Sequence, residues 1–364
     1  MPLPLRPVVL LFGCLAAVAA CSDPAPKPDK PAASKPAAPP AKPQTPVVAA
    51  PAAAPAAPSP LAQAVNAAAF DPAATTPEAK QAYLTRAQVL LDRAHFSPGV
   101  IDGREGSNLT LAISAFQEAR RLTVDGKLSP AVWDALVADA GPALTDYVIT
   151  PEDVAGPFTP DIPKDDYEAM ARLPALGYGS PLEALAEKFH MDEPLLQALN
   201  PGVDFSRAGT TIIVAALGPD GLDGKVTRIE IDNARGTLKA YADGDKLLAV
   251  YPATVGSTER PAPVGEWAVN TVAPRPTYTY DPSRLTFGKP TGKLTIKPGP
   301  NNPVGSTWID LTKDTYGIHG TPDPKLVNKR ASHGCVRLTN WDAAELGAAV
   351  QKGAKVVFEG KPVR

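Results

Sequence analysis

Three features of the sequence predict a multidomain α+β chain. Helical apolar periodicity runs over residues 61–140. Two short helical patterns and an apolar strand occupy 165–218. Alternating strands broken by turn signals then fill 225–360, giving a mostly-β domain. At 364 residues the chain has room for two or three such domains. A formal net charge of −2 and the lack of a Lys/Arg stripe give no reason to expect nucleic acid as a partner.

The N-terminus reads as an export signal. Arg6 supplies one positive charge, and Pro7 to Ala20 is an almost wholly apolar run too short for a comfortable membrane span. It ends in Val18-Ala19-Ala20-Cys21, which resembles the lipobox of a bacterial lipoprotein. The resemblance implies that residues 1–20 are removed and that Cys21 carries lipid as a membrane anchor. An ordinary secretory signal cleaved near Ala20 is the alternative. The protein is therefore expected exported and lipid-anchored on the periplasmic face, and Ser22, after the cysteine, resembles the outer-membrane sorting pattern and favours that membrane. Residues 21–60 are Pro, Ala and Lys with little else, and cannot bury enough surface to fold. Extended at ~3.1 Å per residue, forty such residues reach up to ~120 Å, which suits a tether.

The helical block of 61–140 contains an apolar pattern through Ala82, Leu84, Ala87 and Val89 to Leu91, stopped by Ser97-Pro98-Gly99. A second pattern holds Leu111, Ile113, Ala115 and Phe116; a third follows Ser129-Pro130, an N-cap with proline at the first helical position. Asp102-Gly103 and Asp125-Gly126 mark two turns. With Gln88 and Phe116-Gln117, this arrangement resembles a three-helix peptidoglycan-binding domain. A metal site on His95, Asp102 and Asp125 has no supporting ligand spacing.

Residues 141–164, rich in proline and acids, read as a connector. In 165–218, Leu182 to Phe189 and Glu193 to Leu199 are helical, Asn200-Pro201-Gly202 stops them, and Thr211 to Val214 is a strand. These elements resemble the second half of a LysM module. The opening Gly-Asp-Thr strand of that family is not evident; Gly177-Tyr178-Gly179-Ser180 stands there instead, which leaves glycan binding by this segment open. His190 reads as a surface helix residue.

From Val226, strands are expected at 227–231, 238–242 and 247–255, with Asp243-Gly244-Asp245 turning a hairpin. Further strands follow at 267–272, 308–311, 316–320 and 356–358, with a helix at 340–351. Residues 274–303 form a long Pro-, Gly- and Tyr-rich loop, readable as a lid over a cleft or as a disordered insertion.

The chemistry concentrates in Tyr316-Gly317-Ile318-His319-Gly320-Thr321 and Ser332-His333-Gly334-Cys335-Val336-Arg337-Leu338. If Cys14 leaves with the signal and Cys21 carries lipid, Cys335 has no second cysteine to pair with in an oxidising compartment. A thiol there needs a use, and a nearby imidazole can take its proton. Gly334 lets backbone approach a substrate, and the N–H groups of Gly334 and Cys335 can serve an oxyanion. A zinc reading of His319, His333 and Cys335 lacks further clustered ligands. No cofactor is expected.

The two motifs resemble the signature of the L,D-transpeptidase (YkuD) catalytic domain, H-G-[TS] followed by S-H-G-C-[IV]-R-[LM], over roughly Val226 to Phe358. The resemblance implies Cys335 as nucleophile, His319 as proton acceptor and donor, and Gly320 as the carbonyl that orients it. Arg337 either holds a stem-peptide carboxylate or forms an internal ion pair; His333 either lines the site or packs; Tyr316 is a candidate at the substrate. The implied substrate is a peptidoglycan stem tetrapeptide, cleaved through a thioester with release of D-alanine and passed to an amine, on another stem or on a protein. A carboxypeptidase of the same fold, or a non-catalytic lipoprotein anchoring to the wall glycan, are the competing readings.

Overall fold

The protein is described by a computed structural model over residues 60–138, 141–164, 166–256, 261–283, 292–329 and 334–360. The expected signal, Cys21, most of the expected tether, and His333 lie outside these residues. No helix among the described residues is long and apolar enough to cross a membrane.

The helical block contains α1 (Pro60–Ala67), α2 (Pro77–Arg93), α3 (Ser107–Ala119) and α4 (Pro130–Val137). Thr76 and Ser129 cap α2 and α4 through their hydroxyls, each followed by proline where no backbone donor is needed. Leu84, Leu91, Phe116 and Trp133 bury the faces of α2, α3 and α4 against one another, as their spacing predicts. α1 adds a fourth helix to the block, and its Ala62 and Val65 pack instead into the core of the next module.

That module is a β-α-α-β unit. β1 (Leu144–Val148) pairs antiparallel with β2 (Thr211–Ala215), and α7 (Pro181–Lys188) and α8 (Glu193–Leu199) close one face. Two short helices, α5 (Pro151–Val154) and α6 (Tyr167–Arg172), lie between β1 and α7. The segment 141–164, expected to be a bare connector, therefore supplies the module's opening strand. Its exposed positions at Thr145, Asp146 and Val148, the last of them apolar, leave too weak an alternation to reveal it. Asn200 ties the unit: its side chain accepts from Ile213 N–H at 2.6 Å and donates to Ile213 O at 2.8 Å.

The mostly-β domain comprises β3 (Val226–Asp232), β4 (Thr237–Tyr241), β5 (Leu247–Pro252), β6 (Thr254–Val255), β7 (Gly265–Pro274), β8 (Tyr278–Tyr280), β9 (Leu294–Ile296), β10 (Thr307–Leu311), β11 (Gly317–His319), β12 (Val336–Arg337), α9 (Asn340–Ala349) and β13 (Val350–Glu359). Among the described residues, nine strands form one sheet in the order β5-β4-β3-β13-β7-β10-β11-β12-β6. The long loop before β10 carries the β8–β9 hairpin. Ile296 there packs on Met170 and Leu176, and Tyr280 stacks on Tyr167 at 4.7 Å.

The exposed edge at β5 is covered by the helical block. Ser97 N–H donates to Val250 O at 2.9 Å and Val250 N–H to His95 O at 2.8 Å, which blunts an edge otherwise open to association. A few residues on, Ile101 exchanges hydrogen bonds with His190 and Asp192 of the β-α-α-β unit. One short stretch, 95–101, thus stitches all three modules together. His190 is not the surface residue expected. Its ring stacks on Trp341 of α9 at 5.0 Å, and its Nδ1 lies 3.0 Å from Asp92.

Candidate active site

The site is built on two adjacent parallel strands. β11 pairs with β12 in the register Ile318↔Val336 and His319↔Arg337. Side chains alternate across a sheet, so His319, Arg337 and Cys335, which lies one residue before β12, share one face. Cys335 is offset from His319 by one strand and two residues, a Cα separation of roughly 8 Å, which an imidazole and a thiol span between them. Leu338 N–H donates to His319 O at 2.8 Å and locks this register.

His319 is buried, and its Nδ1 lies 2.6 Å from Gly320 O. A carbonyl only accepts, so Nδ1 carries the proton and Nε2 presents its lone pair. Burial, with the positive charge of Arg337, holds the imidazole pKa down to about 3, against the raising effect of the Gly320 carbonyl. The ring is therefore neutral at physiological pH and is a base rather than a standing cation. Trp308, the direct cross-strand partner of His319, stacks on its ring.

Cys335 is half-buried, and its Sγ donates to Thr315 O at 3.7 Å. Gly334 before it has φ +112°, where a side chain is strained. This gives the glycine of Ser-His-Gly-Cys a backbone reason. Gly320 has a different one: a Cβ there would run into Asn340 Oδ1.

Arg337 is mostly buried, which lowers its pKa, while negative charge at Cys335, Asp323 and Tyr167 opposes that shift. Attraction is mutual, so the guanidinium favours a thiolate at Cys335. Its Nε is buried and has no hydrogen-bond partner among the described residues. It also lines a cavity of about 1060 Å³ between the modules, with Thr321 and Asp323 beside it and Glu183, Glu187 and Glu193 of the β-α-α-β unit across from it. Tyr316 is half-buried with Lys313 Nζ 5.1 Å from its ring centroid and does not line this cavity.

Sequence reasoning brought His319, Gly320, Gly334, Cys335 and Arg337 to one place. It missed Trp308, whose alternation with Ile309 in β10 puts it on the His319 face, and Asn340, which read only as a helix start. Among the described residues no cluster of three or more His, Cys, Asp or Glu could hold a metal ion.

The L,D-transpeptidase catalytic domain model matches residues 226–358, and a peptidoglycan binding domain model matches 81–136. A Bacillus licheniformis protein named as an L,D-transpeptidase, YkuD, is 30% identical over 181 residues, covering 49% of this chain and 93% of that one. YqjB of Bacillus subtilis, likewise named as an L,D-transpeptidase, is 32% identical over 134 residues, covering 35% and 69%. The solved L,D-transpeptidase of Mycobacterium smegmatis covers 42% of this chain and 64% of its own at 20% identity, with a TM-score of 0.31. The chain is an enzyme of the L,D-transpeptidase family, carrying a helical peptidoglycan-binding domain ahead of its mostly-β catalytic domain.

Proposed function

We propose that this enzyme acylates Cys335 with a peptidoglycan stem tetrapeptide. The thiol proton passes to His319 Nε2 as Sγ adds to the carbonyl of the third residue. The oxyanion is held by the N–H groups of Gly334 and Cys335. Collapse breaks the bond to D-alanine, whose amine leaves with the proton from His319. An incoming amine then attacks the thioester, gives its proton to His319, and restores the thiol. The product is a cross-link between stems or an attached protein.

The observation that carries this reading is the tautomer of His319: Gly320 O accepts a hydrogen bond from Nδ1–H, which leaves the other nitrogen basic on the face shared with Cys335. Arg337, with a buried and unsatisfied Nε at the cavity wall, suits a stem-peptide carboxylate, held by charge-assisted hydrogen bonds. The intact mass of the full chain after incubation with a carbapenem is expected to rise by one adduct on Cys335. Cys335→Ala should lose it, and an unmodified wild-type mass overturns the nucleophile assignment.

The lipobox-like run and tether support an exported, lipid-anchored protein whose binding domain raises the local concentration of wall substrate. Mass analysis of the mature N-terminus tests this. A lipidated Cys21 is expected, and an unmodified N-terminus near residue 21 overturns it.

A further inference from the structure

The matched catalytic domain begins at residue 226, yet a side chain from the preceding β-α-α-β unit hydrogen-bonds a buried residue of that domain. Glu187, in the last turn of α7, is buried. Both its carboxyl oxygens face Asn340 Nδ2, at 3.3 and 3.0 Å. Asn340 is itself buried at the start of α9, and its Nδ2 also donates to Pro300 O at 3.1 Å. With Nδ2 so engaged, Oδ1 turns the other way and accepts from Ser306 N–H at 3.0 Å and Thr321 N–H at 3.1 Å. Backbone N–H groups can only donate, so the orientation of this amide is unambiguous.

Thr321 N–H and Gly320 C=O belong to one peptide plane. In a trans peptide the two groups point in opposite directions. Fixing Thr321 N–H on Asn340 therefore aims the Gly320 carbonyl away from Asn340, and it meets His319 Nδ1 at 2.6 Å. A rotation of that plane would remove the acceptor that holds the Nδ1–H tautomer. It would also loosen the ring's aim at Cys335. The chain of contacts runs from Glu187 to Asn340, through one rigid peptide unit, to the imidazole.

We infer that Glu187 is a positioning residue for His319, so that the β-α-α-β unit is a structural part of the active site and not only a neighbouring module. This rests on the reading of His319 as the base. Glu187 touches no reacting atom; it acts through Asn340. A glutamate suits the role because its carboxyl offers an acceptor oxygen to the Asn340 NH₂ at the reach of an α7 side chain, whether or not it is protonated. Burial raises its pKa to about 8 against the lowering effects of Asn340 and Tyr178, so near neutral pH it sits there mostly protonated, without placing a full negative charge beside the site.

The test uses the full-length enzyme with Glu187→Asp, which withdraws the carboxyl by one methylene, and Glu187→Gln, which keeps length and one acceptor oxygen. The His319 Nδ1–H proton resonance, assigned by its loss in His319→Gln, is followed with the rate of carbapenem acylation. Glu187→Asp should shift or exchange-broaden that resonance and slow acylation about tenfold at saturation, with the half-saturating concentration changed less than twofold. Glu187→Gln should restore both. Both variants should keep the wild-type unfolding midpoint within a few degrees. A resonance unmoved in Glu187→Asp, or one lost equally in Glu187→Gln, overturns the inference. If the wild type forms no adduct, the reading of Cys335 fails, and the resonance still decides whether Glu187 holds the ring.

Discussion

Trp308 lies nearly parallel to His319, with ring centroids 5.6 Å apart and an interplanar angle of 18°. The two are direct partners across the β10–β11 ladder, so the stack follows from register. The indole shields the imidazole from water, and burial is the main reason the His319 pKa sits at about 3. A base of that pKa stays unprotonated through mildly acidic solution. The acid limb of the acylation rate should then lie well below the ordinary histidine value near 6.5. Trp308→Leu opens the ring to solvent and should move the limb upward. At pH 5 this predicts acylation slowed roughly tenfold relative to pH 7.5, against little change in the wild type. Rates measured from pH 4 to 8 check it; parallel profiles for the two proteins count against solvent shielding as the cause.

A second pH effect concerns stability. Four groups hold protons in the folded chain that the unfolded chain would shed. For His95, its hydrogen bond to Glu345 raises the pKa against burial. His190 is pulled down by burial, yet the charge and hydrogen bond of Asp92, with Asp342 and Glu345 beyond, carry it higher. Burial beside Asp92 lifts Asp342 to about 8, and Glu187 likewise stands at about 8. All four folded values exceed the unfolded ones. Their stabilisation is therefore complete below the unfolded pKa and is lost as pH rises through the folded one. The urea midpoint should fall between pH 6.5 and 8.5. In His95→Gln/His190→Gln the fall should be shallower, because those two protons no longer take part. Equilibrium unfolding at four pH values measures the slope directly.

Thr315 offers a different kind of constraint. Its φ is +67°, a left-handed backbone that a β-branched residue adopts only at a cost of about 1–2 kcal/mol. Its carbonyl accepts from the Cys335 thiol. The strained residue thus fixes where the sulfur points. Thr315→Gly should raise stability by about 1 kcal/mol and slow acylation several-fold, since the same relaxation frees the carbonyl. Thermal midpoint and acylation rate, measured together, should move in opposite senses. A variant that is both more stable and fully active would separate the strain from the thiol's aim.

The sequence exposed what local pattern and motif can carry. His319, Gly320, Gly334 and Cys335 were legible because reactive groups and glycines crowd into two short runs. The turns at Asp102-Gly103 and Asp125-Gly126 were legible for the same reason. Glu187 was not: its contact with Asn340 spans 153 residues and crosses modules, and in its own helix it reads as a solvated charge. His190 was misread on the same grounds, since the Trp341 ring and Asp92 that bury it come from other modules. β1 escaped because its partner β2 lies over sixty residues away and its own alternation is weak. Long-range polar contacts leave no periodicity behind them.

The doubled Asp-Gly turn has a mechanism that can be tested within one protein. Gln117, almost wholly buried, accepts from Asp125 N–H at 3.0 Å and Gly126 N–H at 2.8 Å, and donates to Asp125 Oδ1 at 2.8 Å and Lys127 O at 3.1 Å. Gln88 repeats the pattern on Asp102, Gly103 and Arg104. Each amide replaces a strand's worth of ladder partners for its turn. Gln117→Leu keeps the volume but leaves these backbone groups without their partner; the Gly126 N–H is buried and the rest reach water in part. The expected loss is about 2–3 kcal/mol. Gln117→Glu should cost less, since a carboxylate still accepts from both N–H groups but meets Asp125 and the Lys127 carbonyl without a donor. Gln88→Leu should do comparable damage and, because its turn leads into the Ile101 contacts with His190 and Asp192, should also loosen the helical block from its neighbours. Proteolysis of the folded variants distinguishes the two. Gln88→Leu should be nicked between the modules sooner than Gln117→Leu of equal stability, and equal rates would mean that the Ile101 stitch does not depend on the Gln88 turn.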